Sequence, residues 1–402
     1  MKTTVLCLAS FSFALACPAL TLPLSTVPER VAAQNPSVAA ARLRIEEARA
    51  RFLGSGRLSN PELGFEFKHD DRFREAEVGL SFDQKFPVAA RLRLEKTLSQ
   101  KEIEAAELEV RDATRKLAAE ASALAVKWLA LDAQRTLREE QAALAQKLSE
   151  SSAKFAERGE VSALDAVQSQ VDSQRMLLES RQLETERAAL IGELKPLLGV
   201  DAEEKLTISG GLPTIGKTPG GGDWQQRPDY LLAKKHEEAA DAATDLAQAK
   251  KWDDISAGLF LEGEAHEDGV NGLEKRPFLG LRFSLPLPLW NKNEGEIAEK
   301  AAAAQRARLE TKALSYQITN EAAAARAEMQ SIAKLHAEMT EKLLPLVKQQ
   351  AEKLEAAYQT GQTDLITVLR IREQRLQIET TLINARRDWH LARLRHEAAT
   401  GR

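Results

Sequence analysis

The chain has almost no cysteine, few aromatics and no surplus of either charge, and each shortage removes a class of protein. Only Cys7 and Cys17 stand among 402 residues, so neither a disulfide framework nor a cysteine metal cluster can form. Lys and Arg number 56 against 60 Asp and Glu, a balance that leaves no basic field to attract nucleic acid. Aromatic residues make up 5%, too few for a large aromatic core. Six histidines are scattered, and no nucleophile elbow, phosphate loop or H-E-x-x-H helix is found, so neither an enzyme nor a bound cofactor is expected. Gly220-Gly221-Gly222 lacks the preceding strand and following Lys or Ser/Thr of a phosphate loop and reads as a linker. No run of roughly 20 uncharged apolar residues is present either, so any membrane crossing falls to strands.

Residues 1–16 read as a secretory signal: Lys2, an apolar stretch from Val5 to Leu15, then Ala14 and Ala16 in an A-x-A pattern. Cleavage there removes Cys7 and leaves Cys17 without an intrachain partner. Two readings stand for Cys17, a lipid anchor or an incidental first residue. Ala14 in place of the Leu usual three positions earlier, and Pro18 immediately after, depart from the lipidation pattern.

Ala, Leu, Glu, Arg, Lys and Gln are plentiful, as long helices packed side by side require. Ile103, Val110, Leu117, Leu124 and Leu131 stand seven apart, as do Leu164, Val171 and Leu178, and Leu369, Leu376 and Ile383; these are coiled-coil seams. No breaker interrupts Arg91 to Glu157, a rod of about 100 Å at the α-helical rise. A turn at Arg158-Gly159-Glu160 leads to a second helix from Ser162 to Leu194, closed by Pro196 and Gly199. Pro345 splits the later helical stretch into Lys292 to Leu344 and Leu346 to Thr360.

Between the helical blocks the period changes to two. Leu63, Phe65 and Phe67, then Val78, Leu80 and Phe82, alternate with small or polar residues around a His69-Asp70-Asp71-Arg72 connection. The pattern returns as Ile255, Ala257, Leu259 and Leu261, then Leu279, Leu281, Phe283 and Leu285, around a Gly-rich acidic loop from Glu264 to Gly272. Phe82 and Phe86-Pro87 match Phe283 and Leu287-Pro288 at an offset of 201, and Gly159, Leu164 and Val167 match Gly361, Ile366 and Leu369 at 202. A duplicated unit is therefore expected: a signal over 1–16, a first repeat over 17–209, a linker over 210–223 and a second repeat over 224–402. Four strands cannot close a barrel in hydrocarbon, so strands from several copies must complete it. The helical seams likewise need copies or a partner to cover them.

These residues resemble the outer-membrane efflux proteins typified by TolC. The resemblance spans nearly the whole chain after residue 16. It rests on Asn60-Pro61-Glu62-Leu63 opening the first strand, Phe86-Pro87 closing the second, Leu285-Pro286-Leu287-Pro288-Leu289-Trp290 closing the fourth, and Gly159 and Gly361 at the hairpin turns. It implies a mainly α fold with a small β part: a trimeric α-barrel of long hairpins below a shared twelve-stranded β-barrel in the outer membrane. It also implies a passive exit channel, with Gly159 and Gly361 at tips that dock a periplasmic adaptor joined to an inner-membrane pump of the RND type, and outer-membrane lipid around the barrel. Asn60-Pro61-Glu62-Leu63 is most similar to the CzcC-type heavy-metal branch, which implies divalent metal cations as cargo.

In TolC-like sequences an Asp six residues after the first turn glycine lies near the closed tip, and Asp165 keeps it. Six and nine positions after Gly361, where the family type has acidic residues, stand Thr367 and Arg370. Asp165, Thr367 and Arg370 are thus candidate periplasmic gate residues, with Arg370 replacing a carboxylate ring by a basic one. The plain alternative has Asp165 capping a helix and Arg370 on a solvated surface. His69, Asp70 and Asp71, and Glu264, His266, Glu267 and Asp268, could contact a metal in passing, though such residues are ordinary turn chemistry and no fixed metal site is expected. The rival to a channel is a periplasmic adaptor or structural coiled coil without a pore.

Overall fold

A computed structural model describes residues 20–71, 75–159, 161–268 and 272–401. The signal over 1–16, Cys17, Arg72 and Glu160 lie outside them. The first part of the chain holds strand β1 (Leu20–Pro23), helices α1 (Val27–Gln34) and α2 (Pro36–Gly54), strands β2 (Glu62–His69) and β3 (Glu75–Phe86), helices α3 (Arg91–Glu157) and α4 (Ala163–Leu197), and strand β4 (Leu206–Ser209). After these come α5 (Pro228–Ala249), β5 (Ile255–Asp268), β6 (Gly272–Ser284), α6 (Glu294–Glu338), α7 (Leu344–Gln359) and α8 (Leu365–Thr400).

With no Gly or Pro in its 67 residues, α3 runs unbroken and is the spine against which α1, α2, α4, α5 and α8 pack. Its Ile103, Val110 and Leu124 are buried, as the heptad spacing predicts. Leu376 of α8 is buried too. The seam of α4 differs: Leu164, Val171 and Leu178 are 73%, 55% and 63% exposed, so this chain leaves a row of apolar side chains without cover.

Three helix boundaries depart from the sequence reading. The first helix after β6 ends at Glu338 and passes into a π-helical turn, Met339–Leu343. Pro345 then stands at the second position of α7 directly after the π-helical turn, and the widened turn accommodates a residue that cannot donate to the carbonyls before it. Pro196 does not close α4, which continues to Leu197, because a proline in the final turn interrupts little of the ladder. Glu264 belongs to strand rather than loop, since β5 and β6 pair as far as Asp268 and Gly272.

The main core lies midway along the helical part. Val27, Val31, Ala125, Leu129, Leu194 and Leu198 are buried there with Leu206 and Ile208 of β4. β4 pairs in parallel with β1, Leu20 opposite Leu206, and these four-residue strands are too short for periodicity to reveal. Gly199, at φ +62°, sits so close to the Gln34 carbonyl that any side chain would overlap it, while Asn35 donates to the Leu197 carbonyl at 2.9 Å. The end of α4 is thereby fixed to the joint between α1 and α2.

Candidate functional site

The second sheet is antiparallel in the order β2-β3-β5-β6. Its register sets Phe65 opposite Leu80, Leu80 opposite Leu261 and Leu261 opposite Leu279. Because side chains alternate along a strand, one whole face carries Leu63, Phe67, Val78, Phe82, Leu259, Leu281 and Phe283 in line with these four. That face is bare, with Leu279 78% and Leu281 82% exposed. The other face is polar. Lys85 meets Glu62 at 2.8 Å, Lys68 meets Glu66 at 2.9 Å and Glu77 at 3.7 Å, and the Arg282 guanidinium stands 5.6 Å from the centre of the Phe260 ring. Phe260 lies across the space left by Gly280. The outer edges of β2 and β6 pair with no other strand among the described residues.

Where sheet meets helices, Arg91 at the start of α3 binds Asp254 just before β5 at 2.7 Å. Asn293, at φ +60°, donates to the Ala247 carbonyl at 3.0 Å and to Glu296 at 2.8 Å. The bond from Asn293 and the ammonium of Lys250 hold the Glu296 carboxyl below its ordinary range.

At the opposite end lie the two helical turns. Gly159 and Gly361 have φ +75° and +71°, and each N–H bonds three residues back, to Ala156 and to Tyr358, at 3.0 Å. Three residues after each glycine comes the cap of the next helix: Ser162 accepts from Leu164 N–H at 3.1 Å, and Asp364 from Thr367 N–H at 2.7 Å. Asp165 is thus not the cap of α4. It sits half-buried in that helix's first turn, and its carbonyl accepts from Ser169 Oγ. Thr367 is half-buried in the first turn of α8, with Arg370 exposed one turn further on. Within one chain no ion pair joins Asp165 to Arg370 among the described residues. The Thr367 hydroxyl and N–H, with the field of Arg370, instead hold the Asp364 carboxyl below its usual range. Asp364 is the tip residue the sequence reading passed over, although Asp ahead of an apolar helical run is a legible cap signal. Further up, Arg175 bridges α4 to Glu373 of α8 at 3.2 Å.

The segment between the two parts of the chain is strapped onto α8. Arg386 binds the carbonyls of Leu212 and Pro213, and His390 Nε2 meets the Pro213 carbonyl at 3.0 Å. Burial pushes the His390 pKa down. Nothing in the sequence pattern pointed to these contacts, which join residues more than 170 apart.

His69 Nδ1 lies 2.7 Å from the Asp70 carbonyl, and Asp70 Oδ1 accepts from Glu75 N–H. The side chains of His266, Glu267 and Asp268 lie outside the described residues. Among the described residues no group of three or more His, Cys, Asp or Glu could hold a metal ion, and no helix is long and apolar enough to cross a membrane.

No family model and no curated protein matches the sequence. The shape does match solved structures. The channel protein CusC is 18% identical, with 94% of this chain and 91% of that chain covered and a TM-score of 0.78. The Campylobacter jejuni outer membrane channel CmeC is 14% identical over 94% and 85%, also at 0.78. The outer membrane protein VceC of Vibrio cholerae is 19% identical over 94% and 96%, at 0.74. Long helices stacked end-on to a four-stranded sheet with one bare apolar face therefore give this chain the fold of those outer membrane channels.

Proposed function

We propose that three copies of this chain form an outer-membrane channel of a tripartite efflux system and that the chain belongs to the outer-membrane efflux protein family. The four-stranded sheet is the observation that carries this reading. It presents a continuous apolar face, a charged opposite face and two open edges, a combination that is stable in a bilayer only when neighbouring copies close the ring. Twelve strands then enclose a polar lumen. The uncovered seam of α4 supports the same assembly, because Leu164, Val171 and Leu178 find cover only against another helix. Solutes delivered by an inner-membrane pump of the RND type and a periplasmic adaptor leave through the lumen, with divalent metal cations as the proposed cargo. The two halves, 17–209 and 224–402, are read as a duplication, and Cys17 keeps its two readings, a lipid anchor or an incidental first residue.

The tips around Gly159 and Gly361 are the proposed adaptor contacts, and Asp165, Thr367 and Arg370 the proposed gate. Asp165 and Arg370 are not paired within a chain, so a gate built from both requires them to meet across copies. The first test is the native mass of detergent-extracted protein from isolated outer membranes: a trimer is expected, and a soluble periplasmic monomer would overturn the channel. In planar bilayers, Arg370→Ala should raise conductance and shift ion preference toward cations; unchanged currents would remove Arg370 from the gate.

A further inference from the structure

A cavity of about 460 Å³ opens where the sheet gives way to the helices. Its walls come from three junctions, with Arg91 after β3, Lys251 to Asp253 before β5, and Trp290 and Asn291 after β6. Most charges here are already matched: Arg91 to Asp254 at 2.7 Å and Lys250 to Glu296 at 2.9 Å. Lys251 and Asp253 are the exceptions. Both are exposed, and among the described residues neither forms an ion pair with the other or with any third group. Between them Trp252 is 43% exposed, and across the cavity Trp290 is 94% exposed. Leu285, Leu287 and Leu289, all exposed, lead from the end of β6 toward this opening.

We infer that this cavity seats the headgroup of a zwitterionic phospholipid from the inner leaflet. The inference rests on the channel reading, which puts the apolar sheet face in hydrocarbon and this opening at the level where hydrocarbon ends. An unmatched ammonium and an unmatched carboxylate in one cavity complement a ligand carrying both charges: phosphate on Lys251 and an ammonium on Asp253. Indole rings prefer the membrane interface, and their faces attract a cationic headgroup. The α3 helix also begins here with no side-chain cap and no acidic residue in its first turn, which favours the phosphate over a second ammonium at Arg91. Acyl chains then follow Leu289, Leu287 and Leu285 onto the bare sheet face.

The test uses the full protein extracted from membranes, stripped of lipid in detergent and titrated with phosphatidylethanolamine or phosphatidylglycerol while bound lipids are counted by native mass spectrometry. One phosphatidylethanolamine per chain is expected to bind more tightly than phosphatidylglycerol. Lys251→Glu should weaken retention by about tenfold, the scale of one lost charge-assisted contact, and Asp253→Asn should erase the preference for phosphatidylethanolamine. Trp290→Ala, at a fully exposed position, provides a variant that does not disturb folding and should also lower retention. Equal retention by all variants would overturn the site, as would displacement of the lipid by inorganic phosphate alone, which would mark a free-anion site. A protein that never enters the membrane fraction would instead fail the channel reading itself.

Discussion

Arg227 clamps Asp229 through two bonds, Nε to Oδ1 at 2.9 Å and Nη2 to Oδ2 at 2.5 Å. Arg115 of α3 approaches the same carboxylate at 3.4 Å, and both arginines also donate to carbonyls at the end of α8, Ala399 and Ala398. Three helices distant in sequence are joined at one largely enclosed point. Burial pushes the Asp229 carboxyl up, but the bonds from Arg227 and the field of Arg115 outweigh it and hold it below its ordinary range.

Asp229→Ala leaves two arginines facing each other without the shared anion. A loss of about 3 kcal/mol is expected, toward the low end for a broken buried pair because Arg115 keeps Asp112 at 2.6 Å. Denaturant unfolding of the detergent-solubilised protein measures it. The contribution from this carboxyl is complete above roughly pH 4, where an unfolded Asp is ionised, and falls away as acid carries the pH down through the lowered folded value.

The sign is the same at His390 and the range is different. Its folded pKa is lowered by burial, with Arg393 and Arg386 acting in the same direction, so below roughly pH 6.5 the unfolded chain binds the proton more readily. Melting temperature should therefore drop between pH 7.5 and 5.5, and His390→Gln should flatten that slope. Hydrogen exchange at residues 210–223 should rise over the same range in the parent protein.

Gly280 has no room for a side chain, because Phe260 occupies the place where one would stand. Gly280→Val should force that ring from the polar face of the sheet and hinder closure of the proposed barrel, giving less heat-resistant oligomer on gels. Restoring space with Phe260→Ala in the same chain should recover part of it.

Gly159 and Gly361 turn with φ above +70° and nothing within 4 Å of a notional Cβ. Substitution by Ala is then a backbone matter alone, costing about 1 kcal/mol at each turn. Limited proteolysis at the tips should quicken while the melting of the helical core stays the same.

Much of the fold was legible because regular elements write their period into the chain. The stretch without Gly or Pro between Pro87 and Gly159 located α3 as one long helix, and alternation located all four long strands. Between Glu264 and Gly272 two signals conflict. The acidic, glycine-containing stretch from Glu264 to Gly272 looked like loop, yet pairing with the facing strand carries β5 to Asp268, since ladder bonds reward extension whatever the side chains prefer. At the tips, Ser162 and Asp364 were readable caps, but the spacing that singled out Asp165, Thr367 and Arg370 carries no information about what they touch.

By itself, then, the sequence determined the elements, their order and which side of each is apolar, because backbone propensity and side-chain period act locally. Only the tertiary structure decided which apolar rows the chain covers for itself. The seam of α3 is buried in the fold and that of α4 is left bare, although both show the same seven-residue spacing. It also brought Arg227 to Ala399, Arg115 to Asp229 and Arg386 to Leu212, and set Lys251 and Trp290 in the wall of one cavity. Such meetings depend on helix length and packing angle summed over hundreds of residues, which no local pattern encodes.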